Sequence, residues 1–154
     1  MKTQQIEVRV LEEQTTAAMF DTLTVGEIGG WLPEAFQRVG DYLSTHDLGP
    51  AGMPYARFRR LDEDRFQVEA GFPSYTAVEG EGEVEPSQLP PCRAAVATHI
   101  GPHEEMLGTY QALTQWLAER EKEAVGDPWE VYFSDPEEET DPAYWRTEVF
   151  QAFR

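Results

Sequence analysis

One glutamate near the C-terminus stands where a carboxylate is unfavourable. Trp145–Phe153 is predicted as a β-strand, in which successive side chains point to opposite faces. Glu148 lies mid-strand, on the face that also carries Arg146 and Phe150. A buried, unpaired charge is costly, so Glu148 should have a partner, a proton or a ligand. It is either a pocket carboxylate or one half of an ordinary ion pair with Arg146 at an exposed edge.

Aromatic residues accompany this glutamate. Tyr132 lies in the preceding predicted strand, where its hydroxyl could hydrogen-bond a ligand or the carboxylate. A carboxylate among aromatic rings suits a lipophilic cation, because the charge gives selectivity and the rings add area and cation–π attraction. The further candidate pocket residues are Glu69, at the position equivalent to Glu148 in the first half, and the aromatic residues Trp31, Tyr55, Phe58, Phe72 and Phe150. For each of them, a place in the core or on a solvated strand is the alternative.

Other reactive side chains do not combine into a recognisable site. His99 and His103 have the i, i+4 spacing of a helical metal site, but Gly101 and Pro102 between them interrupt the helix. Cys92 is the single cysteine, which excludes an internal disulfide, and it begins a strand with no histidine evident beside it. We therefore expect neither a metal ion nor a cofactor.

The elements that position these residues occur in the same order twice. Each half begins with a strand, continues with a helix that Gly and Pro residues end, and closes with two strands joined by an acidic loop. The first half is predicted as the strand Ile6–Glu13 with Thr15–Phe20 as its continuation, a helix from Ile28 to Leu43 with Pro33 in its first turns, and the strands Tyr55–Leu61 and Arg65–Phe72. The second half is predicted as the strand Cys92–His99, a helix from Gly101-Pro102 to Leu117, and the strands Trp129–Asp135 and Trp145–Phe153. The acidic Ser74–Pro91, which contains Gly and Pro, should join the halves, with room for an edge strand.

This order predicts an α+β fold of tandem duplicated βαββ units with pseudo-two-fold symmetry. Such a fold would have antiparallel sheets, two main helices and a central ligand cleft. We expect one domain over residues 1–154, with repeat halves at about 1–75 and 90–154. Chance similarity of short patterns is the alternative to duplication.

The charge of the chain limits its partners. A net charge of −17 with twelve Lys and Arg disfavours nucleic acid and anionic membranes, which both require basic surfaces. The acidic field would attract a cationic ligand, or it serves solubility alone. The sequence has no apolar run of signal-peptide or membrane-spanning length, so we expect a cytoplasmic protein, either a monomer or a dimer.

Two long segments resemble a known family. LPPCRAAVATHIGPHEEMLGTYQALTQWL (89–117) and GDPWEVYFSDPEEETDPAYWRTEVFQ (126–151) resemble the GyrI-like small-molecule-binding domain, which also forms the effector-binding half of Rob-type and BmrR-type regulators. FQVEAGFP (66–73) resembles that family's other recurrent strand. The resemblance implies a pocket glutamate at Glu148 and a neighbouring aromatic residue at Tyr132. His103 stands where the family often has tyrosine and receives no role. Since the regulators' DNA-binding segment does not occur in the sequence, we expect a stand-alone member.

The resemblance implies three functions. The first is binding of small amphipathic, cationic or xenobiotic compounds in a central aromatic pocket, for sequestration, sensing or protection. The second is a hydrolase that opens the cyclopropane ring of DNA-alkylating natural products, with Glu148 deprotonating a water and Tyr132 hydrogen-bonding the developing oxyanion. The third is modulation of DNA gyrase through protein contact.

Overall fold

The computed structural model describes residues 3–135 and 137–154, and it describes the side chains from residue 5 onward. The predicted domain 1–154 and the predicted acidic loop between the strands Trp129–Asp135 and Trp145–Phe153 therefore each include residues outside the described part. Eight strands and two α-helices lie within that part: β1 Thr3–Leu11, β2 Gln14–Thr24, α1 Val25–Thr45, β3 Tyr55–Arg60, β4 Arg65–Pro73, β5 Glu85–Leu89, β6 Cys92–Ile100, α2 Met106–Glu119, β7 Trp129–Tyr132 and β8 Arg146–Ala152.

The chain forms two compact units. The middle unit comprises Glu12–Pro91, and the terminal unit comprises the chain up to Leu11 together with Cys92–Arg154. Within the middle unit, antiparallel strands lie in the order β3-β4-β2-β5. Within the terminal unit the order is β7-β8-β6-β1, again antiparallel. The α+β class, the antiparallel pairing and the two main helices are thus confirmed, while the duplication and its pseudo-two-fold axis stay predictions.

The N-terminal strands differ from their prediction. Thr15–Phe20 does not continue the first strand but belongs to β2, which pairs with β4 and β5, whereas β1 pairs with β6. The burial pattern explains why β1 and β2 are separate strands. Thr16–Met19 is buried at every position, as expected of a strand covered on both faces, while β1 keeps an exposed side.

The acidic segment predicted to join the halves is part of the middle unit. Its strand β5 pairs with β2, and Val78 and Val84 are buried in the hydrophobic cluster of that unit. These two valines are the apolar residues that hold an otherwise polar segment against the core. The segment therefore contributes to packing as well as to connection.

Helix α1 begins three residues before the predicted start. The backbone N–H of Thr24 donates to Glu27 Oε1 at 2.8 Å, a capping interaction that begins the helix at Val25. Consequently Pro33 lies inside the helix and not in its first turns. One side of α1 packs Ala35, Val39 and Leu43 against the sheet of the middle unit.

In the terminal unit, α2 covers one face of the sheet. Met106, Leu113 and Leu117 of α2 pack against Ala97 and Val149 of the sheet. We call this side the helix-covered face and the opposite side the far face. Because side chains alternate along each strand, neighbouring residues of β7 and β8 project to different faces.

Candidate functional site

Glu148 lies on the far face of the terminal unit. Strand β8 runs between β6 and β7, and Glu148 pairs in register with Thr98 and Val131. Its exposed fraction is only 2 %. The carboxylate is therefore in a central strand of its unit, not at the exposed edge that the ion-pair alternative assumed.

Two arginines neutralise this carboxylate. Arg9 of β1 donates from Nη1 and Nη2 to the two carboxylate oxygens, each at 2.9 Å, and Arg146 Nη2 donates to Oε2 at 2.9 Å. The hydrogen bonds from Arg9 are the main reason that the pKa of Glu148 is lowered from its ordinary value, and burial acts against them. The ion pair with Arg146 agrees with the sequence-based alternative, whereas Arg9 was not anticipated.

Aromatic rings also lie near the Arg9 guanidinium. Phe150 is stacked on Trp129 with ring centroids 5.3 Å apart and planes 6° from parallel. The Cζ atom of Arg9 lies 5.7 Å from the centroid of Phe150. This cation is thus held between a carboxylate and an aromatic pair, which are the two components of an organic-cation receptor.

Tyr132 and Glu148 project to opposite faces of the sheet. Tyr132 pairs in register with Thr147, whereas Glu148 pairs with Val131. The hydroxyl of Tyr132 donates to Glu130 Oε1 at 2.6 Å. The hydroxyl therefore acts on a different carboxylate from the one that the sequence suggested.

Glu130 is a second buried carboxylate of the terminal unit, on the helix-covered face. It is 9 % exposed, and its Oε2 accepts a hydrogen bond of 2.5 Å from Tyr110 of α2. Burial raises the pKa of Glu130, and the two tyrosine hydroxyls oppose that rise. Among the described side chains, no Lys or Arg forms a salt bridge with it. Sequence reasoning missed Glu130, although its place between Trp129 and Val131 carries the same signal as that of Glu148.

His103 adds an aromatic contact near this second carboxylate. Its ring centroid lies 5.5 Å from that of Tyr132 and 5.1 Å from that of Trp145. The histidine to which the sequence assigned no role therefore packs on the tyrosine that binds Glu130.

Glu69 and Tyr55 form a polar cluster in the middle unit. Tyr55, fully buried, donates to Glu69 Oε2 at 2.5 Å, and Ser87 Oγ donates to the same oxygen at 2.7 Å. Arg57 binds Oε1 through Nε at 2.9 Å and Nη2 at 2.7 Å. A cavity of about 590 Å³ in this unit is lined in part by Arg57 and Ser87. Thus Glu69 is a buried carboxylate with a cationic partner, like Glu148.

The remaining candidate aromatic residues contact other parts of the fold. Trp31 and Phe72 pack against the hydrophobic cluster beneath α1, in agreement with the core alternative. Phe58 is half-buried and meets Phe66 edge to face, with ring centroids 6.5 Å apart. The structure thus brings Phe150 to Glu148 and Tyr55 to Glu69, while it places the other three aromatic residues in packing contacts.

The described residues include neither a metal-binding cluster nor a membrane-spanning helix. No group of three or more His, Cys, Asp or Glu side chains there could hold a metal ion. No helix in that part of the chain is long and apolar enough to cross a bilayer.

Comparison with known proteins identifies one family model over almost the whole chain. The model of the GyrI-like small molecule binding domain matches residues 4–153. No curated protein sequence matches the chain.

Solved structures share the fold at low sequence identity. The EcmrR C-terminal domain has a TM-score of 0.84 at 17% identity, with 97% of each chain covered. EcmrR in its complex with DNA has a TM-score of 0.83 at 17% identity, and the alignment covers 97% of this chain and 57% of that one. SAV2435 bound to tetraphenylphosphonium has a TM-score of 0.67 at 13% identity, with 98% of this chain and 94% of that chain covered.

Proposed function

Because the chain belongs to the GyrI-like small molecule binding domain family, we propose that it binds an amphipathic organic cation at Glu148. One observation carries the proposal. The guanidinium of Arg9 already occupies the space between the Glu148 carboxylate and the Phe150 ring. A site that holds one planar organic cation has the chemistry to hold another.

The exposure of the two arginine side chains that contact Glu148 supports this proposal. Glu148 itself is almost fully buried, but its partners reach it from more exposed positions, with 34 % of the Arg9 side chain and 48 % of the Arg146 side chain exposed. Ligand binding would therefore require movement of long side chains and leave the strands in place. The net charge of −17 would favour the approach of a cation.

Binding of this kind would serve sequestration, sensing or protection against a toxic compound. The structural neighbour SAV2435 was solved with tetraphenylphosphonium, a lipophilic cation, which makes that compound a suitable first probe. Its four phenyl rings supply apolar area and its charge is delocalised, so it tests the carboxylate and the aromatic pair together.

Isothermal titration with tetraphenylphosphonium tests the proposal. We expect saturable binding to the wild type and a loss of roughly tenfold or more in Glu148→Gln, which keeps the shape of the side chain and removes its charge. Glu34→Gln is the matched control, because it removes one exposed charge from α1 in the other unit. Equal affinity of Glu148→Gln and Glu34→Gln would contradict the proposal.

A second candidate function is hydrolysis, and the Glu130 contacts favour it. A buried carboxylate with a raised pKa and a tyrosine hydroxyl at 2.6 Å can exchange a proton with a bound water. In this reading Glu130, and not Glu148, would take a proton from the water as the water oxygen bonds to a cyclopropane carbon and the ring C–C bond breaks. The electron pair of that bond would move onto an oxygen of the ligand, and Tyr132 would turn its hydroxyl proton from Glu130 to this developing oxyanion. Incubation with a cyclopropane-containing alkylating compound and mass spectrometry tests it. Addition of one water, abolished in Glu130→Gln but retained in Glu148→Gln, is the expected result.

Modulation of DNA gyrase is the remaining candidate function from the sequence, and no contact described above favours it. A supercoiling assay with purified protein addresses it directly. Unchanged gyrase activity at stoichiometric excess would remove that candidate.

A further inference from the structure

Arg9 makes a more complete set of contacts in the proposed cation site than Arg146 does. Its two Nη atoms bind both oxygens of Glu148 at 2.9 Å, and its Nε donates to Glu7 Oε1 at 2.6 Å. Arg146 gives Glu148 one hydrogen bond, from Nη2, while its Cζ lies 4.5 Å from the centroid of Phe133. Arg9 is therefore the side chain that fills the position between the carboxylate and Phe150.

We infer that Arg9 is an internal competitor for the ligand site and that the Glu148 carboxylate it occupies selects ligands with a planar amidinium or guanidinium group on an aromatic body. The inference rests on the proposed function, because a ligand that binds Glu148 must displace this guanidinium. It extends that function by naming the ligand class and the residue with which the ligand competes.

The geometry of the contact defines the preferred ligand. A bidentate pair of charge-assisted hydrogen bonds is lost when Arg9 leaves, and only a ligand with two parallel N–H donors restores both of them. An aryl amidinium has these donors, and its ring can occupy the space beside Phe150 and Trp129. A phosphonium or quaternary ammonium has the charge but no N–H group, so it does not replace the two hydrogen bonds that Arg9 gives to Glu148.

Competition by Arg9 lowers the affinity of each displacing ligand by the same factor. Only the fraction of molecules in which Arg9 has left the site can bind, so the apparent dissociation constant rises by the inverse of that fraction. Removal of Arg9 should therefore raise the affinity for both cation types equally. The preference for the amidinium over the phosphonium should persist, because it comes from Glu148.

The position of Arg9 fits this role. Strand β1 is the last strand in the order of the terminal unit, and Arg9 projects to the same far face as Glu7. The Glu7 carboxylate is 54 % exposed, so it can hold Arg9 at the rim once the guanidinium leaves Glu148. Arg9 thus has an anionic partner both when it is bound to Glu148 and after a ligand displaces it. This keeps the free-energy cost of displacing Arg9 moderate.

The experiment compares two probes on four proteins by isothermal titration at physiological ionic strength. The probes are 4′,6-diamidino-2-phenylindole, an aryl amidinium, and tetraphenylphosphonium. The proteins are the wild type, Arg9→Met, Arg9→Lys and the control Arg38→Met. Arg38 lies on α1 with a single long contact of 3.6 Å to Glu83, and its removal makes the same change in net charge. Circular dichroism and a thermal melt establish that each variant is folded.

We expect Arg9→Met to bind both probes roughly tenfold more tightly than the wild type, the free-energy equivalent of about one charge-assisted hydrogen bond. Arg9→Lys should give a smaller gain, because an ammonium competes without bidentate geometry. Arg38→Met should stay within about twofold of the wild type, since salt screens the exposed charge of Arg38.

Two results would overturn the inference. If the wild type binds a probe and neither Arg9 variant binds it more tightly than Arg38→Met does, Arg9 is not a competitor, and the proposed function stands. If the amidinium has no advantage over the phosphonium in the wild type, the assignment of ligand class is wrong. Failure of both probes on all four proteins would refute the proposed function together with the inference.

Discussion

Replacement of Glu148 by glutamine should destabilise the protein in a pH-dependent way. The wild-type carboxylate accepts three hydrogen bonds of 2.9 Å from two arginines. Glutamine keeps the size and one acceptor oxygen but loses the charge that strengthens these bonds. Hydrogen bonds to charged groups contribute about 1.5–3 kcal/mol each, and partial exposure of both arginines reduces that contribution by screening. We therefore expect the free energy of unfolding to fall by about 2 kcal/mol at pH 7.

The sign of the pH dependence follows from the pKa. The pKa of Glu148 is lowered in the folded state from its ordinary value of 4.5. The ion pairs are therefore fully present above pH 4.5, and their contribution is lost as the pH falls through the lower folded-state pKa. The difference in stability between wild type and Glu148→Gln should be constant from pH 7 to pH 5 and should shrink in more acidic solution.

Urea denaturation at a series of pH values measures this difference. Tryptophan fluorescence reports unfolding, and Glu34→Gln again controls for the loss of an exposed negative charge. Equal stability of Glu148→Gln and wild type at pH 7 would refute the reasoning. A deficit that stays unchanged in acid would also refute it, since it would arise from packing and not from charge.

Four further predictions concern other residues and conditions. Because burial raises the pKa of Glu130 above its ordinary value of 4.5, the wild type should lose stability relative to Glu130→Gln as the pH rises from 4 to 7, which parallel urea titrations measure. Tyr110→Phe removes the 2.5 Å donor to Glu130 and should lower the free energy of unfolding by about 1–3 kcal/mol, with the exposed Tyr144→Phe as control. Gly71→Ala would place a Cβ atom 2.0 Å from the Ala17 carbonyl oxygen and should cost about 3 kcal/mol or prevent folding, as seen by circular dichroism. Tetraphenylphosphonium affinity, measured by isothermal titration, should be flat from pH 7 to pH 5 and should fall only as the pH drops through the lowered pKa of Glu148, because the carboxylate stays ionised above that pKa.

Clear periodicity made part of the fold predictable. The strand β8 lies where it was predicted, and α2 includes most of the helix predicted in the second half. That helix begins at Met106 and not at Gly101-Pro102, because a 3-10 turn over His103–Glu105 comes before it. The boundary between the two N-terminal strands was harder to predict, because Thr15–Phe20 is apolar enough to extend the first strand. Which partner each segment pairs with depends on long-range contacts that local pattern does not contain.

The lack of long-range information in a local sequence pattern also explains the errors at the candidate site. The unfavourable, mid-strand position of Glu148 was evident from the sequence, and the bond to Arg146 followed from their shared face. Arg9 is separated from Glu148 by 139 residues, so its contact depends on the pairing of β1 with β6. The expected contact of Tyr132 with Glu148 depended on register, and a shift of one residue moves a side chain to the other face. Glu130 could have been found, because both of its neighbours, Trp129 and Val131, are apolar and predict burial.

A crystal structure of the protein with a bound aryl amidinium tests the central claim most directly. The account predicts that the amidinium forms paired hydrogen bonds with the Glu148 carboxylate, that its ring lies beside Phe150, and that Arg9 has moved away from Glu148. A ligand bound beside Glu130 or elsewhere, with Arg9 still paired to Glu148, would contradict the account.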